Sequence, residues 1–475
     1  MADPGSFRDP SSRVFIQNDR IIRGLDDVAS ADFAVLESSR LFEAAMLQGE
    51  IVATKRLGEV PQELQNGVWM TALEHERVPM ISYPYEWSFE MLKDAALLQL
   101  DLTERALAEQ MITKDATPFN IQFIGSHPVF IDVGSFERLT PGEPWFGYRQ
   151  FCQQFLNPLL LQARRGVDFR PWVRGSLDGM SPDQCASMLR LSDRCRPATF
   201  VHVVMHAWAD RRLARSPRDV RSELSAAGFG PKVIAAQVRK LRTLVAGLRW
   251  RPGASAWTEY STRNHYADAE LASKADFVKR AAGRRRRTQV LDLGANDGFF
   301  TEIVLAGADS AVAVDSDPAV VDGLYRRLRD RTDRRLLPLC VDLVDAAGGH
   351  GWRGTERAPF DARVRPDLVL CLALVHHLAI TENVPLEEVA AFLAQWRSEV
   401  IVEFPALDDP MVRRLVQQKK GRSTKRYSQA QFEAAIERHF VVQESLALQS
   451  GNRIMYSLRP RSDERPSAGT PKVSC

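Results

Sequence analysis

Residues 290–300 read VLDLGANDGFF, and this stretch decides the fold of the carboxyl-terminal half. Its first four residues are an apolar run interrupted by Asp292, which predicts a buried strand with an acidic side chain near its end. Gly294 and Gly298 predict a tight turn, because glycine adopts backbone conformations that other residues avoid. The turn opens a helix, whose first backbone N–H groups are available to a ligand. The stretch therefore predicts a strand, a turn and a helix that together form a ligand site.

Short apolar runs recur from this stretch onward, separated by segments long enough for helices. The runs are QVLDLG (289–294), SAVAVD (310–315), LLPLCVD (336–342), DLVLCLAL (367–374) and EVIVEF (399–404). This alternation is typical of an α/β protein with a parallel sheet covered by helices on both faces. Two further runs, 439–448 and 453–460, flank the turn Gln449–Asn452 and predict an antiparallel hairpin. We expect a Rossmann-like, doubly wound domain closed by that hairpin.

Acidic residues end two of the neighbouring strands. Asp315 ends the second run and Asp342 ends the third. In a Rossmann-like sheet, a carboxylate at the position of Asp315 accepts two hydrogen bonds from a ribose diol, and Asp342 is placed to reach an adenine edge. A dinucleotide site requires G-x-G-x-x-G, which residues 294–298 do not provide, and Asp297 would repel a pyrophosphate. A ligand with an adenosine and an ammonium group but no phosphate fits better.

At these residues the sequence resembles the class I S-adenosylmethionine-dependent methyltransferases, whose first motif is D-x-G-x-x-x-G. Asp292, Gly294 and Gly298 match that motif, while Asp315 and Asp342 match the ribose-side and adenine-side acids. The resemblance implies a seven-stranded sheet that binds S-adenosylmethionine at its carboxyl edge, with no metal. It assigns the cofactor to Asp292, Gly294, Ala295, Asn296, Asp297, Gly298, Asp315, Ser316, Asp342 and Leu343.

Further motifs extend the resemblance over most of the chain. They are Trp257–Tyr260, His265–Tyr266, Gly351–Arg357 and Leu372–Leu378, together with PVFIDVGSFE (128–137) in the first half. In these stretches the sequence resembles bacterial methyltransferases related to the host-specific nodulation protein NoeA. The resemblance does not define a methyl acceptor.

Two histidines, His376 and His377, end the fourth apolar run, at the edge where the methyl group would be presented. Methyl transfer from a sulfonium needs an aligned acceptor, and a hydroxyl acceptor also needs a base. Histidine suits that role because its proton affinity lies near neutral pH. We predict that one of the pair contacts the acceptor, with His377 favoured. The alternative is that one of them caps the strand or packs against the next helix.

Two basic segments have open interpretations. The loop GHGWRGTER (349–357), which carries Trp352, Arg353, Glu356 and Arg357, is either a lid over the substrate or a solvated surface loop. The run Arg284–Arg287 either binds phosphate or is a solvated linker before the first strand of the sheet.

The first half contains a different pattern. Asp115 is followed five residues later by Asn120, and Asp132 begins an Asp-x-Gly after a short hairpin. This spacing resembles the catalytic loop and metal-binding segment of protein kinases, in which Asp115 would accept a hydroxyl proton while Asn120 and Asp132 hold Mg²⁺. No G-x-G-x-x-G lies upstream, and Ala53-Thr54-Lys55 matches the kinase V-A-I-K strand poorly. We therefore expect a degenerate α/β region that resembles only the kinase carboxyl-terminal lobe, with a chance match as the alternative.

The length of 475 residues predicts two domains, since single cores rarely exceed about 250–300 residues. We expect disordered tails at 1–12 and 460–475, a kinase-like accessory region at 13–180, a helical connector at 181–254 and the methyltransferase domain at 255–459. In the connector, Ser181-Pro182 and Ser216-Pro217 predict helix starts and Gly228 predicts a helix end. One apolar stripe is predicted on its last helix, formed by Val233, Ile234, Val238, Leu241, Leu244 and Leu248.

Composition argues against several classes of protein, including disulfide scaffolds and membrane proteins. The chain has 63 Lys+Arg and 60 Asp+Glu, a formal net charge of +3, so charge gives no argument for a nucleic-acid partner. Six cysteines without a C-x-x-C pair argue against a disulfide scaffold or a zinc knuckle and suit a reducing compartment. The start of the chain has no apolar signal region, and no run approaches the 18 or more apolar residues of a membrane helix. We expect a cytoplasmic protein without membrane or nucleic-acid partners, and its oligomeric state stays open.

Together the motifs and the resemblance predict an enzyme that moves a methyl group from S-adenosylmethionine to a nucleophilic oxygen or nitrogen. A small-molecule or glycan-type acceptor is what fold-level and family-level analogy implies. One alternative is a phosphotransferase that acts through Asp115, Asn120 and Asp132. Another is a non-catalytic scaffold.

Overall fold

The structure is a computed structural model that describes residues 2–65, 67–214, 230–253, 268–346, 348–418 and 426–461. It divides into two compact units. The first comprises Met1–Ser255, Tyr325–Arg334 and Ala347–Arg363, and the second comprises Ala256–Leu324, Arg335–Ala346 and Val364–Cys475. Two segments inside the predicted methyltransferase domain 255–459 therefore group with the first unit, which no sequence motif indicated.

The first unit begins with a four-stranded antiparallel sheet, followed by two short hairpins and a series of helices. The sheet has the order β1-β2-β4-β3. Its strands are β1 (Ser12–Gln17), β2 (Arg20–Leu25), β3 (Thr54–Arg56) and β4 (Thr71–His75). The pairs are β5 (Met111–Thr113) with β8 (Phe136–Arg138), and β6 (Ile121–Ile124) with β7 (His127–Phe130). This α/β arrangement does not test the kinase-like interpretation, which stays a prediction.

The helices of the first unit include one whose start the sequence predicts. They are α1 (Asp27–Glu37), α2 (Arg40–Gln48), α3 (Phe89–Ala108), α4 (Gly147–Phe151), α5 (Asn157–Arg165), α6 (Arg170–Gly175), α7 (Pro182–Met188), α8 (Leu191–Arg194), α9 (Pro197–Thr199), α10 (His206–Ala214) and α11 (Pro231–Gly247). Ser181 caps α7 as predicted, because its hydroxyl accepts the Gln184 N–H at 3.2 Å while the Gln184 side chain accepts the Ser181 N–H at 2.9 Å. Ser216, Pro217 and Gly228 lie outside the described residues.

The apolar stripe of α11 differs from the prediction at two positions, Val233 and Leu244, the second of which is only half-buried. Ile234, Val238 and Leu241 are buried as expected, but Val233 is 53% exposed and Val245 is buried instead. The buried residues follow a spacing of three to four, which Val233 breaks, so it points away from the stripe.

The predicted disordered tail at 1–12 is wrong for residues 2–12. The Asp3 N–H donates to the Val14 carbonyl at 2.9 Å, and the Val14 N–H donates to the Ser6 hydroxyl at 2.7 Å. The Asp and Ser side chains that suggested disorder here accept turn hydrogen bonds instead, which is the other common use of these residues. At the other end, Pro460 still belongs to a strand, and residues 462–475 lie outside the described residues.

The second unit contains the seven-stranded sheet that the sequence predicts. Its strands are β9 (Arg287–Leu293), β10 (Ala308–Asp315), β11 (Leu336–Cys340), β12 (Leu368–Cys371), β13 (Glu399–Pro405), β14 (Phe440–Ala447) and β15 (Arg453–Pro460), in the order β11-β10-β9-β12-β13-β15-β14. The first five in sequence are mutually parallel, while β15 runs antiparallel to both β13 and β14. The predicted closing hairpin is thus confirmed.

Helices alternate with these strands. They are α12 (Asp268–Ala282), α13 (Phe299–Leu305), α14 (Pro318–Arg329), α15 (Leu386–Ala394), α16 (Pro410–Gln418) and α17 (Gln429–Ile436). The chain leaves β9 for β10 on one side, whereas β12 pairs with β9 on the other. In open α/β sheets, the carboxyl ends of strands at such a reversal form the crevice where ligands bind. Within the described residues, no helix combines the length and apolar character needed to cross a bilayer.

Candidate cofactor-binding and active site

A cavity lies at the carboxyl edge of the seven-stranded sheet, beside the end of β9. It is bordered by the turn after β9, by the ends of β10 and β11 and by the segment after β12. Among the residues predicted from the sequence, those that line it are Asp292, Gly294, Ala295, Asn296, Asp297, Asp315, Ser316, Asp342, Leu343 and His377. Gly298 and His376 do not line it. The fold therefore brings most of the predicted site residues around one cavity.

The turn between β9 and α13 is held by its own backbone. The N–H groups of Gly294 and Ala295 both donate to the Val314 carbonyl at 2.9 Å. Gly298 has φ +78°, and a Cβ there would lie 3.1 Å from the Leu324 side chain. Gly298 thus shapes the turn without lining the cavity, because only glycine fits both its conformation and its space.

Asp315, at the end of β10, is one of the acids that line the cavity. One carboxylate oxygen accepts the Asn296 N–H at 3.0 Å and the other accepts the Asp317 N–H at 3.0 Å. Burial raises the pKa of Asp315, and these backbone hydrogen bonds oppose the rise. A carboxylate has about four acceptor sites, so Asp315 retains acceptor capacity for a ligand hydroxyl. Asp342, by contrast, is exposed, and one of its oxygens accepts the Val344 N–H at 3.0 Å.

Asp292 is 2% exposed and lies deeper in the same cavity. Its carboxylate accepts a hydrogen bond from the Thr301 hydroxyl at 2.5 Å. Burial raises the pKa of Asp292 to about 7, even though Thr301 and Lys274 favour the charged form. Burial thus disfavours the charged form of Asp292, and a cation beside the carboxylate favours that form.

A buried group of charges stands behind the cavity, and the sequence motifs did not reveal it. Glu403 on β13 is fully buried and contacts Lys274 at 2.5 Å and Arg453 at 3.0 Å. Arg453 also contacts Asp409 at 2.7 Å. Burial acts to raise the pKa of Glu403, but the two cations lower it to about 2. The available signal was the acid inside the apolar run VIVEF, since a buried carboxylate requires a cationic partner.

Lys274 links this charged group to the cavity, because it lines the cavity from α12. Its ammonium lies 4.6 Å from the centroid of the Phe300 ring. Burial lowers the pKa of Lys274, and Glu403 counteracts that effect. Lys274 therefore joins the candidate site as a residue that sequence reasoning missed.

The two histidines are placed differently. His377 lines the cavity, whereas His376 is fully buried, and their ring centroids are 4.1 Å apart. Burial, and then the charge of Arg453, lower the pKa of His377 to about 4; burial lowers the pKa of His376 well below its usual value. Both rings are thus neutral at neutral pH. The burial of His376 favours the alternative in which this member of the pair packs inward.

Comparison with known proteins identifies the family of this chain. Nodulation protein NoeA of Rhizobium meliloti strain 1021 is 34% identical over 414 residues, which is 87% of this chain and 86% of that protein. The chain belongs to the NoeA family. No protein-family model matches it.

Two solved structures with a fold like part of this chain are methyltransferases. N-methyltransferase NodS from Bradyrhizobium japonicum WM9, in complex with S-adenosyl-L-homocysteine, is 10% identical, with 42% of this chain and 97% of that chain covered and a TM-score of 0.31. Magnesium protoporphyrin IX methyltransferase ChlM from Synechocystis PCC 6803, with bound SAM, is 15% identical, with 44% and 86% covered and a TM-score of 0.29. Likeness at these scores carries no functional conclusion.

The kinase-like residues of this NoeA family member have their own surroundings in the first unit. Asp132 contacts the buried guanidinium of Arg23 at 2.7 Å, and Arg23 also donates to Ser12 at 2.8 Å. Burial, and then the nearby Asp132, raise the pKa of Asp115. The Arg23 guanidinium thus already pairs with the carboxylate of Asp132, the acid that the kinase-like interpretation assigns to Mg²⁺. Among the residues that the structure describes, no group of three or more His, Cys, Asp or Glu is arranged to hold a metal ion.

Proposed function

We propose that the cavity of the second unit binds S-adenosylmethionine and that the chain is a methyltransferase acting on an oxygen or nitrogen of a small-molecule or glycan-type acceptor. The observation that carries this proposal is the geometry of Asp315. Its carboxylate is fixed by two backbone N–H groups, lies at the tip of β10 and retains acceptor capacity toward the cavity. That is the arrangement a ribose diol requires. The acceptor class is a fold-level and family-level analogy, and no residue of the cavity defines it.

The remaining cavity residues fit the other parts of this cofactor. Gly294 gives close access to the backbone, and Asn296 and Asp297 offer an amide and a carboxylate to an ammonium group. Asp292 lies deeper in the same cavity, where its charge adjusts to a cationic ligand. Ser316, Asp342 and Leu343 border the region proposed for the adenine, and Gly298 sets the shape of the turn. The contacts proposed for the cofactor are thus made by acidic and small residues, and none of them requires a phosphate-binding group.

His377 is proposed to align the acceptor and to take its proton. When bound, S-adenosylmethionine would supply a methyl group on a positively charged sulfur, which would keep the electron pair of the broken bond. When the acceptor is a hydroxyl, its oxygen forms the new bond to carbon and a ring nitrogen of His377 takes the released proton. Because the pKa of His377 is about 4, the ring is already unprotonated at neutral pH. His376 packs behind it as a positioning residue.

Calorimetric titration of the full chain tests the function. We expect saturable binding of S-adenosylhomocysteine and no binding of ATP with Mg²⁺. Binding of ATP–Mg²⁺ without S-adenosylhomocysteine would favour the phosphotransferase, and binding of neither would favour a scaffold. Mass spectrometry of a cell extract incubated with enzyme and methyl-labelled cofactor then identifies the acceptor.

A further inference from the structure

The loop 349–357 of the first unit is closed on itself by specific contacts. His350 and Arg357 exchange two backbone hydrogen bonds of 3.0 Å. The Glu356 carboxylate accepts the Trp352 N–H at 2.8 Å and takes both hydrogen bonds of the Arg8 guanidinium, at 2.6 and 2.9 Å. Backbone and side-chain contacts together hold the loop in one conformation before any ligand binds.

The tip of this loop is crowded and strained. A Cβ on Gly349 would lie 2.0 Å from the Gly354 carbonyl oxygen. The two sides of the loop therefore lie closer together at this point than a residue with a side chain would allow. Arg353 has φ +59°, a conformation that residues with a side chain rarely adopt. Strain of this kind persists where the surroundings impose it, and it recurs at ligand-binding sites. The Arg353 side chain is exposed, and it makes no hydrogen bond to any described residue.

A cavity of about 410 Å³ lies against this loop and is rich in cations. It is lined by Arg8, Arg174, Arg353 and Arg357, with His350 and Trp352 beside them. Glu356 balances the charge of Arg8. Burial, then Arg174 and Arg357, lower the pKa of His350, as expected where positive charges gather.

Arg357 is oriented without using its hydrogen-bond donors. Its guanidinium lies 3.9 Å from the centroid of the Phe119 ring, and its side chain makes no hydrogen bond to a described residue. Stacking fixes the plane of the guanidinium and leaves its N–H groups for a ligand. The run Arg284–Arg287 in the second unit is the opposite case, because each of its arginines contacts a carboxylate at 2.5–2.8 Å. Each arginine of that run thus pairs with a carboxylate. Arg357 interacts with the charge of nearby Glu356 but forms no ion pair, and Arg353 has no carboxylate partner among the described residues.

We propose that the loop 349–357, together with Arg174, binds a small molecule through a phosphate monoester group. Paired guanidinium N–H groups match the oxygens of a tetrahedral oxyanion. A phosphate monoester carries a charge of about −1.5 to −2 at pH 7, so a cluster of guanidinium groups favours it over a singly charged carboxylate or sulfate ester. Trp352, 65% exposed beside the arginines, offers a flat apolar face for a ring in the rest of the ligand. This site is independent of the proposed methyl transfer.

Titration of the full chain at low ionic strength with inorganic phosphate, phenyl phosphate and phenyl sulfate tests the proposal. We expect saturable binding of both phosphates, and phenyl sulfate about tenfold weaker than phenyl phosphate. Arg353→Gln and Arg357→Gln should each weaken phenyl phosphate binding about tenfold, which corresponds to about 1.4 kcal/mol. Trp352→Ala should weaken phenyl phosphate but not inorganic phosphate. Arg190→Gln, at an exposed arginine of the same unit, is the matched control and should change nothing.

Three results would overturn this proposal: no saturable binding by the unmodified chain, equal losses in Arg190→Gln and Arg353→Gln, or phenyl sulfate binding as tightly as phenyl phosphate. Thermal unfolding of each variant without ligand shows whether it is folded. Arg353 is exposed, so its substitution remains informative even if Arg357→Gln unfolds the loop by removing the contact with Phe119.

Discussion

Asp315 ends a strand of the second unit and Asp132 follows a strand of the first, and sequence motifs assigned both to a ligand. Their surroundings differ. Asp315 accepts two backbone N–H groups and lines a cavity, whereas Asp132 contacts the buried Arg23 guanidinium at 2.7 Å. The charge of Asp132 is already balanced by the protein, while Asp315 keeps acceptor capacity for a ligand. A motif thus locates an acid, and the partners that the fold supplies decide whether it is available.

The two histidines allow a similar comparison within one site, because His377 lines the cavity and His376 is buried. Substitution of His377 gives the largest effect that we expect, a loss of turnover. We expect His377→Ala to lower the turnover of a hydroxyl acceptor by about 10²–10⁴-fold with S-adenosylhomocysteine affinity unchanged, because it removes only a proton acceptor. His376→Ala should mainly lower the unfolding midpoint, since that side chain is buried. Rates are measured on the acceptor identified by labelled methyl transfer.

The pH profile sharpens the same prediction. Because the pKa of His377 is lowered to about 4, its protonation should not reduce the rate as pH falls from 8 to 6. Full turnover in His377→Ala, with cofactor binding intact, would show that the base role is wrong.

Asp132→Ala tests the other side of the comparison. We expect the first unit to lose about 3 kcal/mol of stability, because the buried Arg23 is left without its carboxylate. S-adenosylhomocysteine affinity should not change. The matched control is Glu74→Ala, which breaks the exposed Arg20–Glu74 pair on the same sheet and should have little effect. If Asp132→Ala instead keeps its stability and abolishes binding of ATP–Mg²⁺, the kinase-like interpretation regains support.

Gly298 and Gly323, both in the second unit, allow a comparison of smaller effects on stability. Gly298→Ala should cost about 1–3 kcal/mol and weaken S-adenosylhomocysteine binding, since the new Cβ meets Leu324 in a left-handed conformation. Gly323→Ala, on α14 with nothing within 4 Å, should stabilise the chain by up to about 1 kcal/mol. Denaturant unfolding of both variants measures the difference. Equal effects would mean that the turn does not depend on Gly298.

The strands and the turn of the second unit were predictable because their signals are local. Apolar runs and glycine spacing depend on neighbours in sequence, and the sheet needs only such runs to form. The acids at the strand ends followed from the same reasoning, since parallel strands meet at one edge. This is why local reasoning already pointed to Asp292 and Asp315, which both line one cavity.

The remaining features depend on partners far apart in the chain. Glu403 acquires Lys274 and Arg453 from α12 and β15, and Asp132 acquires Arg23 from β2. No pattern among residues that are close in sequence predicts such ion pairs. The strained loop around Arg353 was open to two interpretations for the same reason, because its conformation depends on contacts with Arg8 at the other end of the first unit's sequence.

The most direct test of the account is the affinity of Asp315 variants for S-adenosylhomocysteine, measured by calorimetry. Two charge-assisted hydrogen bonds to a ribose diol are lost in Asp315→Ala, so we expect at least about a 100-fold weakening, with a smaller loss in Asp315→Asn, which keeps one acceptor oxygen. Asp309→Ala, at an exposed acid on the same strand, should bind as the unmodified chain does. Equal affinity in Asp315→Ala and Asp309→Ala would contradict the account.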